Sequence, residues 1–177
     1  MAKFKMTKLM YDAYKRELEL LDESIEDATM RRNDAQKEGD LSENASYTKA
    51  KEDLLEYKTR KDKLQRMLNE AEPIDASTSN MIDAGSYVNI TECDRHGNPL
   101  NQAELFLLDS VEKYLCGVIG VNSPIGKRAV GNPSGLFDVT VNGHTMYYRV
   151  DKLQPTMEVE TQFKETYPMT LDGIFDV

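Results

Sequence analysis

Tryptophan is absent from this chain of 177 residues, cysteine occurs twice, and Gly39 is the only glycine before Gly85. Two cysteines, Cys93 and Cys116, cannot make a disulfide framework and fit a reducing compartment. With His96 and His144 they supply four soft ligands. Only Cys93 and His96 stand at a recognisable spacing, so the pattern does not indicate a zinc centre. The sequence also lacks a membrane span of roughly 20 apolar residues. Its opening, Met1-Ala2-Lys3-Phe4-Lys5-Met6-Thr7-Lys8, passes into a charged helix rather than an apolar run, which speaks against a secretory signal. The expectation is a cytoplasmic protein with no membrane partner.

What the chain has in quantity is charge. Charged residues make up 30% of it and the formal net charge is -9, which disfavours free nucleic acid as a partner over the whole surface. The distribution is uneven: residues 1–75 hold 15 of the 22 Lys and Arg, against 18 acids. The remainder carries 7 against 13. Basic side chains are therefore concentrated in the first part, which suggests that this part faces something anionic.

That first part has helical periodicity. Thr7 can cap a helix in which Tyr11, Tyr14, Leu18, Leu21, Ile25, Ala28, Arg32 and Ala35 recur at spacings of three and four. After Gly39, Tyr47, Ala50, Leu54, Tyr57, Lys61, Leu64, Leu68 and Ala71 do the same. This is the seam of a coiled coil, and a tight reversal at the glycine makes the two helices antiparallel. Opposed layers are then Ala28 with Ala50, Ile25 with Leu54 and Leu21 with Tyr57. Helices of about 30 residues at about 1.5 Å per residue give a rod near 45 Å long, too thin for much core of its own. Asp40 and Glu43 stand three apart in the reversal, on one side of a helical turn. A solvated turn and a deliberate presentation of two carboxylates are both open readings. Arg31, Arg32 and Lys49 lie just behind, either as solvated ion pairs or as cations for a phosphate backbone. Lys58, Arg60, Lys61 and Lys63, further back, read as a salt-bridged surface.

Pro73 ends the second helix, and residues 76–84 read as a linker. Beyond it the period changes. Stretches 87–90, 105–108, 115–121, 137–141 and 146–150 look like strands, with Asn142-Gly143 as a hairpin turn between the last two. Asn122-Ser123-Pro124 opens a short helix running to Val130. The fold class is α+β: an antiparallel coiled-coil hairpin (1–75, tip near 39–47), the linker, a small antiparallel sheet domain with a short helix (85–154), and a tail (155–177) whose mixture of acids and large apolar residues suits docking, on this protein's own sheet or on a partner.

The stretch Gly39-Asp40-Leu41-Ser42-Glu43-Asn44-Ala45-Ser46-Tyr47, followed by Ala50-Lys51-Glu52, resembles the signature of the Gre transcript-cleavage factors of bacterial RNA polymerase, nearer the GreA branch than GreB. The Met6-Thr7 opening and the Glu17-Leu18 to Leu20-Leu21 stretch are similar to that family's first helix. Residues 122–131 (Asn-Ser-Pro-Ile-Gly-Lys-Arg-Ala-Val-Gly) are similar to a motif of its C-terminal domain. The resemblance spans roughly residues 6–154 and leaves the tail outside.

The resemblance implies a coiled coil that enters the polymerase's secondary channel, and an FKBP-like domain that docks at its rim. It implies that the tip acids, matching Asp40 and Glu43, help hold a second magnesium in the polymerase active site and promote hydrolysis of the backtracked RNA 3′ end. The protein would then be no enzyme itself, have no cofactor of its own, share magnesium with the polymerase, and act as a monomer. Leu41, Ser42 and Asn44, with Arg31, Arg32 and Lys49, become candidate contacts to polymerase or RNA. Ser123 and Pro124 are candidates too, although they also read as a helix cap. Ser46 stands where an acid is expected and Ser42 replaces a longer polar residue. Two other functions remain open: a channel-occupying relative that inhibits synthesis without cleavage, and, by fold analogy alone, a prolyl isomerase. The last would want an aromatic pocket, for which Phe106, Tyr114, Phe137, Tyr147 and Tyr148 are the available residues.

Overall fold

The computed structural model describes residues 4–37, 45–110 and 117–167. The chain forms two compact units, one of residues 11–71 with the first two residues, the other of residues 3–10 and 72–177. The helical hairpin is thus an insertion into the chain of the sheet unit.

In the hairpin, α1 runs Lys8–Lys37 and α2 runs Ala45–Glu70. The Thr7 hydroxyl accepts from Met10 N at 3.3 Å, the expected cap. On α1 the buried stripe is Tyr14, Glu17, Leu21, Ala28 and Ala35, with Leu18, Ile25 and Arg32 half-buried. On α2, Ala50, Leu54, Leu64 and Leu68 are buried and Tyr47, Tyr57 and Lys61 half-buried, as the heptad spacing predicts. Among the described residues three ion pairs join the helices: Glu17–Arg60, Asp22–Lys61 and Arg31–Asp53. Between the outer two pairs the number rises from Glu17 to Arg31 while its partner's falls from Arg60 to Asp53, as antiparallel helices require. Lys61, expected on the solvated surface as well as in the seam, pairs with Asp22; Arg60, also expected on the surface, pairs with the buried Glu17.

The sheet unit has two sheets. A two-stranded sheet joins β1 (Phe4–Thr7) to β2 (Ala71–Ile74), neither anticipated from the sequence. Pro73 therefore does not follow the helix as a loop but sits in β2, where a two-stranded sheet tolerates its missing N–H. The main sheet comprises β3 (Tyr87–Cys93), β4 (Glu104–Asp109), β5 (Val118–Gly120), β6 (Gly135–Val141) and β7 (His144–Leu153), in the order β5-β4-β3-β7-β6. Three pairings are antiparallel, but β5 lies parallel to β4. The expected fully antiparallel sheet is thus mixed at one edge, because the chain re-enters through Gly117, whose carbonyl accepts from Leu107 N at 2.8 Å. Asn142 and Gly143 take φ of 51° and 81°, the two left-handed positions the hairpin turn demands.

One face of the main sheet carries Val88, Leu108 and Val150, packed with Ile82 and with Ala129 of α3 (Pro124–Ala129). Residues 76–84, expected as a linker, have neither helix nor strand, yet they are pinned into this unit. Ile82 is fully buried and exchanges backbone hydrogen bonds with Gly131 and Asn132. The Lys152 ammonium, almost completely buried, donates to Ser77 Oγ, Met81 O and Asp83 Oδ1. An apolar residue driven into a core and a buried cation holding three oxygens leave that stretch little freedom.

The described part of the tail, residues 155–167, folds back onto its own sheet, and residues 168–177 lie outside the described residues. Helix α4 (Met157–Thr166) is capped by Thr156, and Phe163, 1% exposed, meets Tyr87 edge-on at 5.5 Å. Burial, and then the charge of Glu160, push the Tyr87 phenol up to about 12. The Tyr167 ring stacks on Phe106 at 6.3 Å and lies so close over Gly117 that a Cβ there would come within 2.3 Å of it.

Candidate functional site

Of the residues singled out in the sequence, Asp40, Leu41, Ser42, Glu43 and Asn44 lie outside the described residues. What is described are the two helix ends between which they are strung, Lys37 and Ala45. Tyr47, half-buried in the first turn of α2, has the Lys51 ammonium 5.7 Å from its ring centre.

The three cations behind the reversal are not equivalent. Arg31 donates from Nε to Asp27 Oδ2 at 2.8 Å and from Nη1 to Asp53 Oδ2 at 3.1 Å. Lys49 reaches the other oxygen of Asp53 at 3.0 Å. The hydrogen bond from Lys49, and then that from Arg31, hold the Asp53 carboxyl below the usual carboxylate range against the opposing effect of burial. The same contacts raise both cations above their ordinary values. Arg32, by contrast, donates to Asn33 Oδ1 at 2.9 Å and makes no ion pair among the described residues. Arg31 and Lys49 thus converge on one acid, whereas Arg32 has no carboxylate partner among the described residues.

Asp53 was not singled out in the sequence. Its signal was there: Lys49 and Asp53 are four apart on α2, and Asp27 and Arg31 four apart on α1, the spacing at which helical side chains meet. The link from Arg31 to Asp53 needs the hairpin register and could not be read locally.

In the sheet unit, Ser123 caps α3, its Oγ accepting from Gly126 N at 3.0 Å, and Pro124 holds the first helical position. Pro124 also lines a cavity of about 340 Å³ whose walls include Ile90, Phe106, Ile125 and Tyr148, with Glu92 and Glu104 among its polar groups. The other aromatics named for a pocket do not gather there: Phe137 packs against the core, Tyr147 is absent from the lining, and Tyr114 lies outside the described residues.

Cys93 is buried, with its thiol toward Thr91 O at 3.5 Å. His96 accepts from Arg95 at 3.0 Å, His144 opens β7 in an exposed position, and Cys116 lies outside the described residues. Among the described residues no three His, Cys, Asp or Glu gather to hold a metal, and no helix is long and apolar enough to cross a membrane. For magnesium, the donor chemistry of Asp40 and Glu43 is right in kind, being hard oxygen. Two carboxylates are nevertheless too few to hold that ion without other ligands.

Residues 4–72 match the family described as transcription elongation factor, N-terminal. The chain is 32% identical over 147 residues to transcription elongation factor GreA 1 of Lactiplantibacillus plantarum, covering 82% of this chain and 91% of that protein. It is 31% identical over 150 residues to GreA of Chloroherpeton thalassium, covering 82% and 92%. Among solved structures it is similar to Gfh1 of Thermus aquaticus, at 22% identity and a TM-score of 0.41, covering 85% and 97% of the two chains.

Proposed function

Because the chain belongs to the GreA and GreB family of transcription elongation factors, we propose that it enters the secondary channel of bacterial RNA polymerase with its helical hairpin and stimulates the polymerase's own cleavage of backtracked nascent RNA. The observation that carries this reading is the position of Asp40 and Glu43 in the chain. Helix α1 ends at Lys37 and α2 begins at Ala45, so the two acids are strung between the ends of an antiparallel pair. Two carboxylates are too few to hold a divalent ion alone, and are instead available to complete a site that a partner supplies. A magnesium ion shared between polymerase and factor supplies charge stabilisation at the scissile phosphate and lowers the pKa of an attacking water.

This chain's own part is to carry and orient ligands. Asp40 and Glu43 offer oxygens; Leu41, Ser42 and Asn44 border them and contact polymerase or RNA. Arg32, without an ion pair among the described residues, is the better placed of the three cations to meet a phosphate. Arg31 and Lys49 are already engaged by Asp53. In the sheet unit, Ser123 and Pro124 act first as a helix cap, and Pro124 offers the polymerase an apolar contact at the cavity edge. The protein works as a monomer in the cytoplasm and performs no reaction alone.

The test is a stalled, backtracked elongation complex with labelled RNA. The wild type releases short 3′ fragments, and Asp40→Ala or Glu43→Ala lowers that rate by about 100-fold or more, as loss of an electrostatic ligand does. Competition against labelled wild type shows the variants still bound. Variants that cleave like wild type would sink the reading. A wild type that binds and slows synthesis without releasing fragments would make the protein a channel-occupying regulator.

A further inference from the structure

The hairpin is not held evenly along its length. Toward the reversal its buried stripe is made of Ala28, Ala35 and Ala50, with Leu54 the first large buried side chain on α2. Alanine buries one methyl group, and each buried carbon contributes only about 0.8 kcal/mol, so apolar packing ties this end weakly. The described ion contacts are concentrated where that packing is thin. Asp53, its side chain 10% exposed, offers one oxygen to Arg31 of α1 and the other to Lys49 of its own helix. Arg31 is held a second time by Asp27, one turn back on α1. The resulting chain, Asp27–Arg31–Asp53–Lys49, crosses from one helix to the other within about two turns of Lys37 and Ala45.

Aspartate is short. A carboxylate one methylene from the backbone of α2 can meet an arginine on α1 only while the helices keep one separation and one register. We propose that Asp53 is a positioning residue: by bracing Arg31 against Lys49 it fixes the two helix ends that carry Asp40 and Glu43. This rests on the cleavage-factor reading and assigns Arg31 and Lys49 to alignment instead of RNA contact. The importance of alignment follows from the chemistry, since displacing a catalytic ligand by about 1 Å can cost on the order of 100-fold in rate.

The experiment uses the full-length protein as wild type, Asp53→Asn and Asp53→Glu. Each is titrated into the backtracked complex, and each is followed by amide hydrogen exchange in the free state. Asn keeps the shape and removes the charge; Glu keeps the charge. For Asp53→Asn the cleavage rate at saturating factor falls about tenfold while the half-saturating concentration stays within about threefold, because binding survives and geometry does not. Amides near the end of α1 and the start of α2 exchange about fivefold faster, while those of β3 and β7 are unchanged. Asp53→Glu, which keeps the charge on a longer arm, recovers part of both.

An unchanged saturating rate overturns the proposal. So does tighter binding at full rate, which would mean that Asp53 only masks two cations, and so does faster exchange along the entire hairpin, which would mean general loss of stability. If wild type itself releases no fragments, the function reading has failed. Exchange alone then decides whether Asp53 braces the helix ends: unchanged protection in Asp53→Asn overturns it.

Discussion

The two units solve the same problem by opposite means. The sheet unit buries apolar groups on both faces of one sheet: Ile82, Val88, Leu108 and Val150 with α3 on one side, and Tyr87 with Phe163 of α4 on the other. The hairpin has a single narrow stripe, and it places two acids in it. Glu17 is completely buried with Arg60 2.5 Å away, and Asp53 is nearly so with Arg31 and Lys49. A layer of two helices cannot bury enough area to fix its register by packing alone. Charge pairs specify register because a slip of one residue leaves an ion unpaired.

The largest expected effect lies in the sheet unit. Phe163→Ala empties a buried aromatic site and costs about 3–5 kcal/mol. Urea unfolding followed by tyrosine circular dichroism would register it, the chain having no tryptophan. An effect below about 1 kcal/mol would show that α4 contributes nothing to the core. Comparable in size, and opposite in logic, is the buried pair of the hairpin. Arg60→Leu strands the Glu17 carboxylate, whose Oε2 is already buried without a hydrogen bond among the described residues, and costs about 3–5 kcal/mol. Replacing Glu17 and Arg60 together by leucine is neutral or stabilising on thermal melting. If the double variant were as unstable as the single, the pair would owe its presence to stability and not to register.

A smaller effect depends on pH. Because the Asp53 carboxyl is held below its ordinary 3.8, its stabilisation is complete above that value and is lost as pH falls below it through the lowered folded value. The groups facing it are Arg31, Lys49 and, through Arg31, Asp27, and both cations stay charged throughout. Helix melting followed from about pH 5 to about pH 2.5 falls more steeply in wild type than in Asp53→Asn. Smallest of all is Lys61→Ala. Its partner Asp22 is half exposed, so the loss is under about 1 kcal/mol and shrinks further in salt.

Much of this division was legible in the sequence, and the reason is periodicity. Heptad spacing located nearly every buried residue of α2, Thr7 announced its cap, and Asn142-Gly143 its turn. What stayed hidden was whatever depends on distant partners. The strands β1 and β2 are four residues each, too short for an alternation to register. Residues 76–84 have a loop's composition and gave no sign that Lys152 and the sheet core would hold them. The parallel approach of β5 is a matter of chain path. On α1, Glu17 was read past in favour of Leu18 because a carboxylate does not announce burial without its arginine. The tip acids Asp40 and Glu43 lie outside the described residues, and the fold supplies only the helix ends, Lys37 and Ala45, on either side of them.

The insertion of the hairpin between β1 and β2 has a consequence in time. Synthesis runs from the first residue onward, so β1 emerges and then waits while both helices are made before its partner strand exists. At typical bacterial speeds of up to about 20 residues per second, that delay is a few seconds. The helices, whose contacts are local, can form within it, whereas the sheet unit cannot close until the segment carrying Phe163 has left the ribosome. The hairpin is therefore finished before the sheet unit whose chain runs on from both its ends.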